Sequence, residues 1–261
     1  TLKNENKMNS KTKSLLSFAE ERLYELELIQ ASYSVLTKDA KSWSKNIKGK
    51  TQNSYDKSFD TIAWTPSEHA SRKKFQDKAL ELPLFPTTTI GSFPQDAEVR
   101  KMRLKFKKKQ ISKDKYNNFI ASRIDELVKK EEKLGIDVLV HGEFERTDMV
   151  EFFAQKLDGF VTTDSGWVIS YGTRVYRPPI VADKIKRTIP LTVKETVYAD
   201  KITDKFMKGI FTGPITILAW GYTLRKEPIY TVAFELAKAL NEEAKALNKK
   251  GIRIIQIDEP A

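Results

Sequence analysis

Two stretches, Val138-Leu139-Val140 within residues 136–141 and the nearly continuous branched run over residues 252–257, lack regular polar alternation. A strand with one wet face alternates polar and apolar residues, so such runs predict strands covered on both faces, as in a parallel sheet between helices. Helical patterns fill the intervals. Residues 229–250 place Val232, Ala233, Leu236, Leu240, Ala244 and Leu247 on one face and stop at Gly251, a residue suited to a left-handed helix end. A helix over about 97–108 precedes another that starts at a Ser112 cap and runs to Leu134, closed by Gly135. Strands alternating with amphipathic helices are the signature of βα units.

Two further strands follow from their breaks. Residues 87–93 are interrupted by Gly91 and ended by Pro94, and residues 208–212 stop at Gly213-Pro214. Each of the four strands then carries a polar residue at its C-terminal tip: Ser92, Glu143, Thr212 and Asp258. Barrel enzymes build their sites from such tips, whereas a doubly wound open sheet gathers its ligand groups at one crevice. The expected fold is therefore α/β, a (βα)8 TIM-type barrel. A whole barrel needs roughly 250 residues, so residues 82–261 carry about its first half. Between 148 and 203 the pattern is mixed: a short helix through Phe152 and Phe153, an extended stretch over 167–181 with Pro178-Pro179, and a short helix near 194–199.

Residues 1–81 have another texture. An amphipathic helix is expected over about 10–36, with Leu15, Ala19, Leu23 and Leu26 on one stripe; residues 37–64 read as linker. A second helix starts at Thr65-Pro66, with Glu68 three residues after the cap, and runs to about Leu80. This part is expected to be the helical tail and linker of a preceding domain. The first residue is Thr1, and Ala261 closely follows a strand tip, so both ends are expected to be cut from a longer chain.

With 40% hydrophobic residues the chain can fill a core. No run approaches the about 18 apolar residues of a membrane span, and the N-terminus has no signal-peptide core, so a cytoplasmic protein without membrane contact is expected. The absence of cysteine excludes disulfides and thiolate metal ligands within these residues. The net charge is +11, but Lys far outnumbers Arg. That balance describes a solvated surface better than a nucleic-acid reader, which favours Arg for bidentate contacts, and no nucleic-acid partner is expected.

Glu143 and Asp258 would bring two carboxylates to one barrel mouth, where burial is costly without a cation or hydrogen bonds. A substrate ammonium would serve. The Ile90-Gly91-Ser92 turn offers backbone N–H groups and a hydroxyl to an anionic carboxylate, so the two groups together can read both ends of a free α-amino acid. The competing explanation is a buried ion network in which Glu143 and Asp258 pair with Arg146, Arg174 or Lys208. Trp220 could offer a flat face to an aromatic ligand or pack as core, and Arg174 could bind an anion or be structural.

The run Ile90-Gly91-Ser92, the stretch His141-Gly142-Glu143-Phe144-Glu145-Arg146-Thr147-Asp148-Met149-Val150, then Gly166-Trp167-Val168, Ser170-Tyr171-Gly172, Thr212-Gly213-Pro214 and Asp258-Glu259-Pro260 appear in that order. Together they resemble the C-terminal catalytic domain of the cobalamin-independent methionine synthases, densely from about Leu82 and loosely before it. The resemblance implies methyl transfer from 5-methyltetrahydropteroyl-polyglutamate to homocysteine, giving methionine, with zinc and without cobalamin, in a protein that is monomeric at full length. Ile90, Gly91 and Ser92 would hold the amino acid's carboxylate, and Glu143 and Asp258 its ammonium. Arg174 and Val175 would contact the folate, whose pterin would stack on Trp220. The family often has cysteine where Val175 stands, which leaves room only for a backbone contact there.

In the family, zinc is held by a histidine, two cysteines and a glutamate, and another histidine moves a proton. This chain has only His69 and His141, so the ligands and the proton donor are expected beyond Ala261, no catalytic or metal residue is assigned, and these residues alone are expected to be inactive. His141 is read as structural. The basic run through Arg100, Lys101, Arg103, Lys105 and Lys107-Lys108-Lys109 could attract the folate's glutamate tail or be a charged helix face. The rival functions are a methylcobalamin-dependent or uroporphyrinogen-decarboxylase-like barrel, and a non-catalytic binding module.

Overall fold

The structure, a computed structural model, describes residues 66–170, 172 and 175–261. The expected helix over 10–36, the linker and the Thr65 cap lie outside the described residues. In chain order the elements are α1 (Pro66–Leu80), α2 (Ala97–Lys107), α3 (Lys113–Lys133), β1 (Val138–Leu139), α4 (Glu151–Ala154) and β2 (Asp158–Val161). Then come β3 (Val168–Ile169), β4 (Val175–Tyr176), β5 (Ile180–Lys186), α5 (Val193–Asp200), β6 (Phe206–Thr212), α6 (Pro214–Ala219), β7 (Tyr222–Thr223), α7 (Ile229–Lys249) and β8 (Ile254–Asp258).

Local chemistry sets the helix ends. The Asp96 side chain accepts from Val99 N at the start of α2, and Ser112 accepts from Lys115 N at the start of α3. Each cap satisfies one otherwise unpaired N–H, a contribution of about 1 kcal/mol. Gly135 (φ 74°) and Gly251 (φ 97°) follow α3 and α7 in the left-handed region, as their positions in the sequence predict.

The parallel sheet runs β1, β6, β8, with Val138 opposite Phe206 and Thr212 opposite Asp258. The expected first strand, residues 87–93, joins the other edge of β1 only through isolated parallel bridges, Thr88 to Val138 and Ser92 to Gly142. It forms no continuous ladder, because Gly91 (φ 131°) turns the chain and the carbonyls of Thr89 and Ile90 accept from the side chains of Lys208 and Gln256. Even so, the four segments lie side by side in sequence order and all parallel. A doubly wound sheet reverses its direction of growth at a switch point; this one grows one way, as a barrel does.

Every residue of β6 from Met207 to Thr212 is buried, which accounts for the missing polar alternation. Gly209 faces α7, where a Cβ would lie 3.0 Å from Leu247 Cδ1, while Lys208, Ile210 and Thr212 face the opposite side. The core joins Ile124, Leu127 and Val128 of α3, Leu139, Met207 and Phe211 of the sheet, and Leu236, Leu240 and Leu247 of α7. The mixed stretch over 148–203 resolves into two small units: β5 pairs antiparallel with β2 and parallel with β7, and β3 with β4 form a hairpin.

The outer layer is pinned by one fully buried carboxylate. Glu243 of α7 accepts from the backbone N–H groups of Leu191 (3.0 Å), Thr192 (2.6 Å) and Val193 (3.2 Å), from Thr192 Oγ1, and from Arg187 Nε at 2.7 Å. Burial pushes its carboxyl up, but these donors outweigh burial and hold it below its ordinary value. A depressed folded-state value stabilises above the unfolded value and is lost on acidification. Replacing Glu243 by Leu is expected to cost about 3–5 kcal/mol in urea unfolding at neutral pH, since it strands Arg187 and the start of α5. Glu243→Gln should cost less, and its difference from wild type should narrow as pH falls.

Candidate functional site

The C-terminal ends of the parallel strands open on a pocket of about 490 Å³. Ile90 and Ser92 line it from the first segment, and Glu143, Arg146 and Met149 from the turn after β1. Thr212 comes from the tip of β6, Trp220 from the end of α6, and Asp258, Glu259 and Pro260 from the tip of β8.

Two tight turns bring the first two groups together. A Cβ on Gly91 would meet Ile210 Cδ1 at 2.5 Å and Glu143 Oε1 at 3.3 Å, so only glycine lets this turn lie against Glu143. Gly142 (φ 87°) and Glu143 (φ 57°) both take left-handed backbone, a conformation that costs a non-glycine residue about 1 kcal/mol or more. Glu143 is held there because its carbonyl accepts from Arg146 N and from Gln95 Nε2, both at 3.1 Å.

The carboxylates differ in their compensation. Glu143 Oε1 pairs with the Arg146 guanidinium at 2.8 Å. Arg146 also donates to Glu145 Oε1 (3.0 Å) and to Ile210 O (2.8 Å), and lies 5.3 Å from the centroids of the Phe152 and Phe153 rings. It is immobilised. Burial pushes the Glu143 carboxyl up, Arg146 opposes that, and the charge of Asp258 adds to the rise. For Glu145, burial is outweighed by His141 and Arg146, which hold it well below the carboxylate range. Asp258, half-buried, accepts from Gln256 Nε2 at 2.6 Å and forms no ion pair among the described residues. The competing ion network is thus half realised: Glu143 has its arginine, Lys208 bonds an amide and a carbonyl oxygen rather than a carboxylate, and Glu143 and Asp258 line the same pocket.

Trp220 is placed by a cap that its own helix does not supply. The short α6 begins at Gly213-Pro214 with no side-chain cap of its own. Instead the Glu259 carboxylate, from the end of β8, accepts from Ile215 N (3.0 Å) and Thr216 N (2.7 Å). Gly213 N donates to Asp258 O at 2.8 Å, locking the tips of β6 and β8 together. At the other end of α6, half-buried Trp220 faces Tyr176 with centroids 6.3 Å apart. Of the expected folate residues, Trp220 lines the pocket, Val175 is exposed on β4 beside Tyr176 and is not among the lining residues, and Arg174 lies outside the described residues. Of the expected amino-acid residues, Ile90, Ser92, Glu143 and Asp258 line the pocket and Gly91 is buried behind it.

Sequence reasoning missed Glu259 and Met149 and met Arg146 only as a rival partner. The missing N-cap before Pro214 was the available signal for Glu259, since a helix start without Ser, Asp or Asn must find its acceptor elsewhere.

These residues do not compose a zinc site. The chain has no cysteine, His69 is exposed on α1, and His141 is fully buried with Nε2 3.2 Å from Glu145 Oε1. No cluster of three His, Cys, Asp or Glu side chains able to hold a metal occurs among the described residues.

Residues 85–261 match the family described as "Cobalamin-independent synthase, Catalytic domain". The chain belongs to the cobalamin-independent methionine synthase family. It is 46% identical to the 5-methyltetrahydropteroyltriglutamate–homocysteine methyltransferase of Thermotoga petrophila, over 98% of this chain and 35% of that protein. The enzyme of that name from Buchnera aphidicola is 42% identical over 100% of this chain and 36% of its own length. The chain therefore spans about a third of the length of the curated relatives it matches. Among solved structures, a B12-independent methionine synthase from a Shewanella species, in complex with selenomethionine, superposes with TM-score 0.56 and 25% identity, over 68% of this chain and 52% of that one. A putative vitamin-B12-independent methionine synthase from Listeria monocytogenes, 20% identical, shares the fold with TM-score 0.53 over 68% of this chain and 52% of that one. The cobalamin-dependent and decarboxylase-like readings are not favoured by these likenesses.

Because Glu259 caps α6 from outside, Glu259→Ala is expected to loosen that helix by about 1–2 kcal/mol, seen as roughly tenfold faster amide exchange at Ile215 and Thr216. Glu259→Gln, which keeps one acceptor oxygen, should lie between; unchanged exchange in both variants would refute the cap.

Proposed function

We propose that this chain supplies the amino-acid-reading part of a methyltransferase, which makes methionine by moving the methyl group of a 5-methyltetrahydropteroyl-polyglutamate onto homocysteine. The observation that carries the reading is the meeting of Asp258, Glu143 and the Ile90-Gly91-Ser92 turn around one pocket with Trp220 on its wall. In this reading the substrate ammonium sits against Asp258, whose charge has no ion-pair partner among the described residues, with Glu143 beside it. The substrate carboxylate takes the Ser92 hydroxyl and the backbone N–H groups of the turn. The pterin stacks on Trp220, with Arg174 and Val175 as further folate contacts.

The chemistry asked of the pocket is positional. A carbon–sulfur bond forms at homocysteine as the bond from the methyl carbon to the pterin nitrogen breaks; the thiol gives up its proton and the pterin nitrogen takes one. Holding both ends of the amino acid aligns sulfur and methyl carbon before reaction, the largest contribution that binding residues make to a bimolecular transfer. The zinc that the family resemblance implies has no ligand set in the described residues, so no step is assigned to it here. Residues 1–81 are read as the tail and linker of a preceding domain, and the protein as a cytoplasmic monomer at full length. In support of a soluble setting, no helix among the described residues is long and apolar enough to cross a membrane.

Calorimetric titration of the intact protein tests this. Asp258→Asn is expected to weaken methionine binding about 10–100-fold, the loss of one charge-assisted contact. Trp220→Ala is expected to weaken the folate about tenfold and leave methionine unchanged. Equal methionine affinity in Asp258→Asn and wild type would end the ammonium assignment. Because burial raises the Glu143 carboxyl, its charge is lost at higher pH than an ordinary glutamate's, which removes one negative charge from beside the ammonium and leaves Arg146 paired with Glu145 alone. Methionine affinity should therefore fall on acidification from above the ordinary glutamate range, and Glu143→Gln should flatten that dependence.

A further inference from the structure

Below the pocket one neutral side chain touches both halves of the amino-acid reading. Gln256 precedes Asp258 by two residues on β8, so both project from the same face of the strand. Its Nε2 donates to Asp258 Oδ1 at 2.6 Å and to Ile90 O at 2.8 Å. Its Oε1 accepts from Lys208 Nζ at 2.7 Å, and the same ammonium donates to Thr89 O at 2.7 Å. Lys208 is 4% exposed and lies on the inward face of β6.

The orientation of this amide follows from its neighbours. Turning it round would set N–H groups against an ammonium and an oxygen against a carboxylate and a carbonyl, three mismatches in place of three matches. Lys208 therefore fixes the polarity of Gln256. Burial holds the Lys208 ammonium below its ordinary value, an effect that the nearby charges of Asp258, Glu131 and Glu143 only partly offset, and its hydrogen bonds go to the Gln256 amide oxygen and the Thr89 carbonyl rather than to any of the three carboxylates.

We infer that Gln256 is a positioning residue for amino-acid recognition, aimed by Lys208. Through one carboxamide it orients the Asp258 carboxylate that faces the ammonium, and it pins the Ile90 carbonyl and so the turn that faces the substrate carboxylate. The separation of the two recognition points is then set by a single rigid group, which matches a ligand whose amine and carboxylate share one carbon. The inference rests on the reading of the pocket as an α-amino-acid site.

The test is a set of methionine titrations on the intact protein: wild type, Asp258→Asn, Gln256→Met, the double variant and Lys208→Met, with the Tm of each. Methionine dissociation should weaken about tenfold in Gln256→Met, while the KM for the methyl donor stays at the wild-type value. In the Asp258→Asn background the same change should add less than about threefold, because of its two routes only the one through the Ile90 turn is left. Lys208→Met, which keeps a stem of similar length and frees the amide to turn, should weaken methionine several-fold. A wild-type dissociation constant in Gln256→Met, with Asp258→Asn weakened, overturns the role of Gln256 and leaves the pocket reading standing. Full additivity of the two changes overturns it as well, since a purely structural effect would be independent of Asp258. If Gln256→Met does not fold, Lys208→Met decides alone, wild-type binding there being fatal to the inference. Should Asp258→Asn itself bind methionine as wild type does, the pocket reading fails and takes this one with it.

Discussion

Charges at the ends of buried strands must be neutralised where they stand, because desolvating each costs several kcal/mol unless a partner repays it. Arg146 meets that need for Glu143 and Glu145 together, and it is itself fixed by the Ile210 carbonyl and two phenylalanine rings. Much of the site's geometry follows. Glu143 can hold left-handed backbone because its side chain and its carbonyl are both engaged, and the glycine turn can approach it because that carboxylate is locked. Lys208, two residues before Ile210 on β6, is instead fixed by neutral acceptors, the Thr89 carbonyl and the Gln256 amide oxygen.

The fold was legible wherever burial on both faces erased polar alternation. Residues 136–141 and 252–257 read as strands for that reason, and 208–212 from its break at Gly213-Pro214; β1, β6 and β8 lie there with shifts of one or two residues at most of their ends. Helix limits followed from Ser112, Gly135 and Gly251, whose capping chemistry is local. Residues 87–93 were only partly legible. Their apolar content marks a strand, but the carbonyls that would extend its ladder are drawn off by Lys208 and Gln256, which approach from residues more than a hundred positions away. The insertion reads as mixed in the sequence because β2, β3 and β4 are too short to show a period.

The site divides in the same way. Polar residues ending apolar strands can be read from the chain alone, and Ser92, Glu143, Thr212 and Asp258 all reach one pocket. What sequence could not supply was the pairing among them. Arg146 looked equally available to either carboxylate, and only the fold shows it committed to Glu143 and Glu145. Glu259 could not be named as the cap because its helix begins 45 residues earlier; the missing cap before Pro214 says only that an acceptor must come from elsewhere in the chain.

That unequal pairing matters for a ligand that carries both charges. Two carboxylates fully matched by arginine and lysine would leave no site for an ammonium, and two unmatched ones would repel each other and take up a proton instead. Here Glu143 is matched by a guanidinium and Asp258 by a neutral amide, so one carboxylate keeps its charge available at the edge of the pocket while the other shapes the wall. The amide also explains why Asp258 stays in place without a cation: a hydrogen bond orients a carboxylate without cancelling its charge. A lysine at position 256 would pair with Asp258 and cancel its charge, so in the proposed reading of the pocket as an amino-acid site the neutrality of Gln256 matters as much as its geometry.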